Sequence, residues 1–529
     1  MRSRIVLVAL VLVASPALAL PWAGADPTPT QSDGVLASFD GAQLVYTLFE
    51  PGDASPSHPV PAILMTHGWA GSRQTTATGI VAALLARDYA VLTWDSRGFG
   101  QSGGFIELDS PQYEVKDASA MIDLLASKPE IQQDHPGDPR VGMTGSSYAG
   151  GIQLLTAAFD HRVDAITPDI TWNDLRQSLG PNGVGKLGWI EALFGSGLAT
   201  GTAYGLEPGD PAGPQATSYD ANLPLWWAEV HATNQITSDV AEGLRERSPT
   251  AYIDQIRAPT LFTQGLPDTL FNANEAAANF HALEANDVPT RLVLGCFGHA
   301  GCPYVADDAA VQARVLSWLD HYVKGDTGAG LGPKVEWFDN AGVWHASGSW
   351  PPQQSRWLSA SADATLVSTP APTGGGGFAI GAGGVSGQVY ETQADPASST
   401  IIPIATAGAG GLDVAGDGHV RVTATGVGTE AFLFFRLLDV APGASGLDAP
   451  VSVNGGPGQI VDGQTQAFRM PVLPTSASLG TVDLVGVGYH LAPGHTLALQ
   501  VSTSDFAHAS NRQPGAYQLH VDVGVPTLD

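Results

Sequence analysis

A short segment rich in glycine and serine, residues 145–150, has the residue types of a serine nucleophile on a sharp turn. It reads Gly-Ser-Ser-Tyr-Ala-Gly and lies between a strand-like run at 141–144 and a run with helical spacing, Tyr148–Phe159. A strand-to-helix turn needs small residues around the nucleophile and aims its hydroxyl out above the sheet. The glycine two positions before Ser147 selects this serine over Ser146.

A serine hydroxyl attacks a carbonyl only when a base takes its proton and an acid orients that base. On this kind of turn the acid and the histidine follow later in the chain, each on a loop after a strand. Asp268 follows a strand-like run at 260–263, and His299 follows another at 291–294. The sequence therefore predicts a catalytic triad of Ser147, Asp268 and His299.

Nucleophilic attack also needs two donors for the negative charge that develops on the carbonyl oxygen. One is expected to be the backbone N–H of Tyr148, the residue after the nucleophile. The second is expected from the loop after the early strand Ala62–Met65, which reads Thr-His-Gly-Trp-Ala-Gly. In an H-G-x loop of this kind, the backbone N–H of Trp69 is the candidate donor.

The segments that must position these groups alternate between strand-like and helical patterns. Such alternation predicts a mostly parallel sheet with helices on both faces, typical of the α/β-hydrolase fold. The predicted strands are 35–39, 44–49, 62–65, 91–94, 141–144, 165–170, 260–263 and 291–294, and the predicted helices are 76–87, 115–125, 148–159, 272–285 and 309–323.

Two stretches depart from this alternation. Residues at about 171–249 are rich in aromatic side chains and glycine and proline connections, which favours a mostly helical cap inserted into a catalytic domain at 35–324. From 335 to 529, short β-prone runs separated by turn residues, such as Val335–Phe338, predict an all-β, jelly-roll-like sandwich.

The two cysteines, Cys296 and Cys302, flank His299. Cysteines this close in an oxidising compartment usually form a disulfide, which would brace the loop of the histidine. A metal site that includes His299 is the alternative, but it would need a fourth ligand and usually shows wider, paired spacing. We expect the disulfide and no metal.

The first residues have the pattern of an export signal. Arg2 and Arg4 precede an apolar run at 5–14, and Ala-Leu-Ala at 17–19 is a cleavage site. We therefore expect a signal peptide at 1–19, cleavage near Ala19, a flexible mature terminus at 20–34, and a secreted protein without a membrane span.

The formal net charge of −28 makes nucleic acid a poor partner.

The motifs together resemble the X-prolyl dipeptidyl aminopeptidase and cocaine esterase (CocE/NonD) family of serine hydrolases. The segments that carry the likeness are Gly-x-Ser-Tyr-x-Gly around Ser147, Ser-Pro-Thr-Ala-Tyr-Ile at 248–253, Gly-Leu-Pro-Asp at 265–268, Trp-Pro-Pro at 350–352, Trp-Leu-Ser at 357–359, Leu-Ala-Pro-Gly-His at 491–495 and Ser-Thr-Ser-Asp-Phe at 502–506.

The resemblance implies attack by Ser147 on an ester or amide, an acyl-enzyme, and its hydrolysis by water without a cofactor. It also implies a β-sandwich packed on the catalytic domain. Relatives of the cocaine esterase type take an oxyanion donor from a tyrosine hydroxyl in the early loop, where this chain has Trp69. The expected substrate is a peptide or small molecule. The alternative is a secreted protein that binds carbohydrate or a surface through the sandwich, with a vestigial hydrolase site.

Overall fold

The computed structural model describes residues 28–204, 218–299, 301–353, 356–369, 376–381, 384–390, 397–444, 458–472, 474, 476–505 and 507–528. The signal peptide and cleavage site predicted at 1–19 lie outside the described residues. The first strand begins at Thr30, so residues 30–34, expected in a flexible terminus, are instead paired with a second strand at Gln43–Glu50. The first four residues of this edge strand are polar and exposed, so their pattern does not indicate a strand, whereas its last three residues, 35–37, overlap the strand predicted at 35–39.

A ten-stranded sheet forms the first part of the protein, in the order β1-β2-β4-β3-β7-β8-β9-β10-β11-β12. Strands β4, β3 and β7 to β10 run parallel to one another, as predicted for a mostly parallel sheet, and β11 adds a further parallel strand. The strands of this sheet are β1 Thr30–Ala37, β2 Gln43–Glu50, β3 Ala62–Met65, β4 Ala90–Trp94, β7 Val141–Ser146, β8 Val163–Asp169, β9 Thr260–Gly265, β10 Thr290–Gly295, β11 Val335–Phe338 and β12 Trp344–Ser347. A small separate hairpin contains β5 Gln133–His135 and β6 Asp138–Pro139.

Helices cover both faces of this sheet. Successive strand residues point to opposite faces, so Ile63 packs in the cluster with helices α1 and α9, whereas Leu64 packs with α2, α3 and α8. The helices are α1 Gly79–Leu85, α2 Glu114–Ala126, α3 Tyr148–Phe159, α4 Leu175–Leu179, α5 Leu187–Tyr204, α6 Asn222–Thr233, α7 Ser238–Glu246, α8 Ala273–Ala285 and α9 Asp308–Tyr322.

Helices α4 to α7 lie between β8 and β9, within the stretch predicted as an insertion. Their apolar side chains pack in one cluster with residues that surround the predicted nucleophile turn. Trp189 of α5, for example, shares this cluster with Tyr148 and with Leu270. The inserted helices are therefore packed directly on the carboxyl end of the sheet, where sites in this fold class are built.

The second part of the protein consists of antiparallel strands in two larger sheets. Their inward side chains form one hydrophobic core, which includes Val422 and Val521 from one sheet and Leu433 and Leu499 from the other. One sheet contains β13 Arg356–Ser368, β17 Leu412–Gly416, β18 His419–Val427, β22 Ser478–Asp483, β23 Val487–Leu491 and β25 Gly515–Leu528. The other contains β16 Ser399–Thr406, β19 Glu430–Val440, β20 Gly458–Ile460, β21 Gln466–Pro471 and β24 Thr496–Ser502, and a separate hairpin contains β14 Gly376–Gly381 and β15 Gly384–Tyr390.

One strand lies in a different sheet from the one predicted. The sequence assigns Val335–Phe338 to the sandwich that was expected to begin at 335, but this strand pairs in parallel with β10 and extends the first sheet. All four of its residues are buried. A buried strand has the same apolar pattern in either sheet, so its pattern does not reveal its partner.

None of the helices in the described part of the chain is both long and apolar enough to cross a membrane.

Candidate active site

Ser147 lies on a tight turn between β7 and α3. Its backbone has φ 60° and ψ −118°, a conformation that non-glycine residues rarely adopt. The Ser147 N–H donates to the main-chain oxygen of Asp169 on the neighbouring strand, at 2.8 Å. A Cβ atom on Gly145 would lie 2.7 Å from that of Ala149, which explains why the turn needs glycine there. The surrounding small residues thus allow a strained backbone that presents the serine hydroxyl to the cavity above.

Asp268 lies on the loop after β9 and is fully buried. One carboxylate oxygen accepts hydrogen bonds from the backbone N–H groups of Leu270, at 2.9 Å, and Phe271, at 3.2 Å. These two bonds fix the plane of the carboxylate and leave its other oxygen facing His299. Because charge-assisted bonds of this kind are strong, Asp268 is held as a fixed acceptor.

His299 joins the two other predicted triad residues. Its Nδ1 lies 2.7 Å from Oδ2 of Asp268, and its Nε2 lies 2.7 Å from Oγ of Ser147. The same Asp268 oxygen accepts the His299 backbone N–H at 3.3 Å. The structure therefore brings Ser147, Asp268 and His299 into one hydrogen-bonded chain, with the geometry that a nucleophile, base and orienting acid require.

The loop that carries His299 is closed by a disulfide between Cys296 and Cys302, as expected from their spacing. Gly298, beside the histidine, has φ 131°, and a Cβ atom there would lie 2.7 Å from the Cβ of Asp268. Only glycine can hold this backbone so close to the acid. The described residues contain no group of three or more histidine, cysteine, aspartate or glutamate side chains that could hold a metal ion.

Tyr148 is the first residue of α3, and the first N–H groups of a helix have no partner within the helix. Its side chain points away from the nucleophile: the hydroxyl donates to Glu114 of α2, at 3.3 Å, and accepts from the Asp109 N–H, at 3.2 Å. Burial raises the pKa of the Tyr148 hydroxyl well above its usual value. Tyr148 can therefore offer its main-chain N–H, and not its phenol, to a substrate oxygen.

The loop that contains Trp69 lies beside the nucleophile. A Cβ atom on Gly68 of this loop would be 4.0 Å from the Cβ of Ser147. The Trp69 indole N–H donates to the main-chain oxygen of Leu193 on α5, at 2.8 Å. His67, in the same loop, accepts the backbone N–H of Ser96 at 3.1 Å, and burial lowers its pKa. His67 thus supports the loop that contains Trp69.

A cavity of about 1390 Å³ opens above the triad. Trp69, Trp189 and Leu193 contribute to its apolar lining. Its acidic lining residues are Asp169, Glu191 and Asp308. A site of this size, mostly apolar with a few polar groups beside a nucleophile, suits a small molecule or the end of a peptide.

Asp169 also lies in this site and is not part of the predicted triad, although an acid at the carboxyl end of a parallel strand is a usable sequence signal. Its carboxylate accepts hydrogen bonds from the hydroxyls of Ser146, at 2.5 Å, and Thr263, at 2.6 Å. Burial raises the pKa of this carboxyl above its usual value. Asp169 is an acidic group in the wall of the cavity, immediately beside the nucleophile turn.

Two family models match the sequence. Residues 40–301 match the model described as X-Pro dipeptidyl-peptidase (S15 family), and residues 327–526 match the X-Pro dipeptidyl-peptidase C-terminal non-catalytic domain. Among curated proteins, the mouse acylamino-acid-releasing enzyme (Mus musculus) is 23% identical over 274 residues, which cover 51% of this chain and 32% of that protein. The chain therefore spans about a third of the length of that relative.

Two solved structures share the whole architecture. An aminopeptidase from a marine sediment archaeon, Thaumarchaeota archaeon, superposes with a TM-score of 0.71 at 17% identity, covering 95% of this chain and 97% of that chain. An α-amino acid ester hydrolase superposes with a TM-score of 0.69 at 16% identity, covering 98% and 100% of the two chains. Given the two family models and this shared fold, the chain belongs to the X-Pro dipeptidyl-peptidase (S15) family and is a serine hydrolase of the α/β fold.

Proposed function

We propose that this protein is an exported hydrolase that cleaves ester or amide bonds through an acyl-enzyme on Ser147. The observation that carries the proposal is the position of His299, 2.7 Å from the Ser147 hydroxyl on one side and 2.7 Å from the Asp268 carboxylate on the other. A histidine in this position can remove the serine proton and return it to a leaving group.

In the proposed reaction the Ser147 oxygen attacks the substrate carbonyl carbon while His299 Nε2 takes the hydroxyl proton. Asp268 holds the Nδ1–H and stabilises the imidazolium that forms. The tetrahedral intermediate collapses when His299 donates the proton to the leaving alcohol or amine, which leaves an acyl-serine. Water, deprotonated by His299, then attacks this ester and releases the acid and free Ser147.

The oxyanion of each tetrahedral intermediate is proposed to accept hydrogen bonds from the backbone N–H groups of Tyr148 and Trp69. The position of Tyr148 at the start of α3 supports the first donor, since the helix dipole also favours negative charge there. The second is supported by the closeness of the Trp69 loop to Ser147 and by the engagement of the indole with Leu193.

Two substrate classes fit the cavity, and they differ in whether the substrate carries a free amine. An exopeptidase of the X-prolyl type would need an acidic group to bind the amino terminus of its substrate. Of the acids in the cap, Glu191 lines the cavity, and its carboxylate lies 2.5 Å from Nε2 of His231. Glu229 is not among the described residues that line the cavity, and Glu207 and Asp210 lie outside the described residues. An esterase would need no acidic group for this purpose and could bind its substrate through the apolar lining of the cavity.

Export is proposed from two independent features. The first residues, with Arg2, Arg4 and the Ala-Leu-Ala segment, have the pattern of a cleaved signal peptide. The disulfide between Cys296 and Cys302 supports an oxidising compartment. Cell fractionation and N-terminal sequencing of the mature protein test this: a processed protein outside the cytoplasm, beginning near residue 20, is expected.

The deciding experiment is labelling with a fluorophosphonate probe, which reacts with activated serines. We expect the wild type to be labelled and Ser147→Ala to be unlabelled, with Ser146→Ala as the matched control that retains labelling. An Ala-Pro p-nitroanilide and a short p-nitrophenyl ester then show which substrate class is cleaved. A folded wild type that is neither labelled nor active would overturn the proposal and favour the surface-binding alternative.

A further inference from the structure

The β-sandwich reaches the loop of the predicted triad acid through one buried side chain. Gln464 lies directly after a short 3₁₀ turn at Val461–Gly463, between β20 and β21. Its amide nitrogen donates to the main-chain oxygens of Leu266, at 2.6 Å, and of Asp268, at 2.9 Å. Both protons of one amide are thus used on the loop that follows β9, and one of them is used on the main chain of Asp268 itself.

Both hydrogen bonds are buried, so the loss of either one would leave a carbonyl oxygen without a donor and away from water. Gln464 is 6% exposed, Leu266 2% and Asp268 0%. A buried carbonyl that loses its donor retains its desolvation cost, so the loop would be expected to move toward another donor or toward water. Because the loop spans only a few residues after β9, such a movement would displace the Asp268 carboxylate from His299.

The same turn also contacts the chain beyond His299. The backbone N–H of Asp462 donates to the hydroxyl of Tyr304, at 3.2 Å, and Tyr304 lies two residues after Cys302. The Asp462 carboxylate accepts the Gly488 N–H of β23, at 3.1 Å, which ties the turn to the sandwich. This turn and Gln464 therefore contact two loops: the loop after β9 that contains Leu266 and Asp268, here called the acid loop, and the chain just beyond the disulfide-closed loop of His299.

We infer that Gln464 is a positioning residue of the catalytic site, through which the sandwich holds Asp268 in register with His299. The inference rests on the proposed function of the triad. Gln464 is not among the described residues that line the cavity, so its effect should fall on the chemical step and leave substrate binding largely unchanged. The sandwich then contributes to catalysis although none of its side chains needs to touch the substrate.

The test compares two substitutions of the same type in the same segment. Gln464→Met keeps the length of the side chain and removes both donors to the acid loop. The matched control is Gln466→Met, because the Gln466 amide also donates to a main-chain oxygen, that of Asp483 at 2.9 Å, but within the sandwich. Each kcat is measured per active site, titrated with a fluorophosphonate, and each unfolding midpoint is recorded.

We expect Gln464→Met to lower kcat by about tenfold to a hundredfold, the loss typical of a misplaced catalytic group. Its KM should change less than about twofold, and Gln466→Met should retain kcat within about twofold. Gln464→Asn, which keeps a shorter amide donor, should recover part of the lost kcat. If Gln464→Met does not fold, Gln464→Asn replaces it in the comparison with the wild type.

A folded Gln464→Met with wild-type kcat per titrated site, or a loss confined to KM, would overturn the inference. An equal loss of kcat in Gln466→Met would also overturn it, since the effect would then be general to the sandwich. Failure of the triad proposal is recognised separately, because Ser147→Ala would then retain activity whatever the Gln464 variants do.

Discussion

The indole N–H of Trp69 donates to the main-chain oxygen of Leu193 at 2.8 Å, which joins the loop after β3 to helix α5 above the nucleophile. The indole ring also packs edge-on against Tyr148, with ring centroids 5.3 Å apart. A donor committed to α5 is not aimed at a substrate oxygen. The side chain of Trp69 therefore holds the cap on the catalytic sheet, and its main chain is left as the candidate oxyanion donor.

Replacing Trp69 with phenylalanine separates these two roles. Trp69→Phe retains an aromatic ring and the backbone N–H, so we expect kcat to remain within about threefold while KM rises as α5 loosens. Loss of a true oxyanion donor lowers kcat by about 10²–10³. A fall of that size with unchanged KM would show that the indole itself stabilises the intermediate.

Lys186, which directly precedes helix α5 of the cap, also contacts the loop that contains Asp268. Its buried ammonium donates to the main-chain oxygens of Thr269, at 2.9 Å, and Leu270, at 3.0 Å, immediately after Asp268. We expect Lys186→Met to lower kcat by about tenfold, because the N–H of Leu270 that binds the Asp268 carboxylate would shift. The exposed Lys116→Met is the control and should leave steady-state kinetics unchanged; equal kinetics for both variants would contradict this role.

Lys186 should also make stability depend on pH in a defined direction. Burial lowers its pKa to about 8, from 10.5 in the unfolded chain. Between these values the unfolded state binds the extra proton, so wild-type stability gains on the order of 3 kcal/mol from this group as pH rises from 8 to 10.5. The difference in unfolding free energy between wild type and Lys186→Met should follow this rise. A difference that stays constant over this range would argue against a charged, buried Lys186.

The disulfide should support both stability and activity, because it closes the loop that contains His299. The double variant Cys296→Ser, Cys302→Ser is expected to lose roughly 2 kcal/mol of unfolding free energy by the loop-entropy model. We also expect a lower kcat, measured on either substrate of the panel. Reductant should reproduce both effects in the wild type and leave the double variant unchanged; full activity after complete reduction would show that the loop needs no bridge.

Asp169 provides a test of whether the substrate carries an amine. Its carboxylate accepts hydrogen bonds from the hydroxyls of Ser146 and Thr263, which are neutral donors and favour the charged carboxylate without compensating its charge. If an amino terminus binds there, Asp169→Asn should lower kcat/KM for Ala-Pro p-nitroanilide about tenfold to a hundredfold. Hydrolysis of an uncharged nitrophenyl ester should change little. Glu191→Gln is the matched control, and equal losses on both substrates would assign Asp169 a structural role.

Much of the predicted site follows from local signals. The small residues around Ser147 predict a sharp turn, and Asp268 and His299 each follow a short apolar strand in the order that this fold needs. The spacing of Cys296 and Cys302 predicts their bridge. In each case the residues that produce the feature lie close together in the sequence, so the feature can be recognised from the sequence pattern.

Other features depend on partners far away in the sequence. The apolar run Val335–Phe338 pairs with β10 rather than with a sandwich strand, and nothing in its own pattern distinguishes the two sheets. The strand from Thr30 is stabilised by a backbone ladder with β2, although its first four residues are polar and exposed. Backbone pairing leaves little trace in side-chain patterns, so only the tertiary structure decides these assignments.

The sequence by itself therefore determined the order of Ser147, Asp268 and His299 and the class of sheet that carries them. Only the tertiary structure decided that the Trp69 indole binds α5, and that Gln464, 196 residues from Asp268, donates to its main chain. A lone glutamine in a β-rich region has no local pattern that indicates a catalytic neighbour. Its role depends on the packing of the sandwich against the sheet, which brings two distant turns within hydrogen-bonding distance.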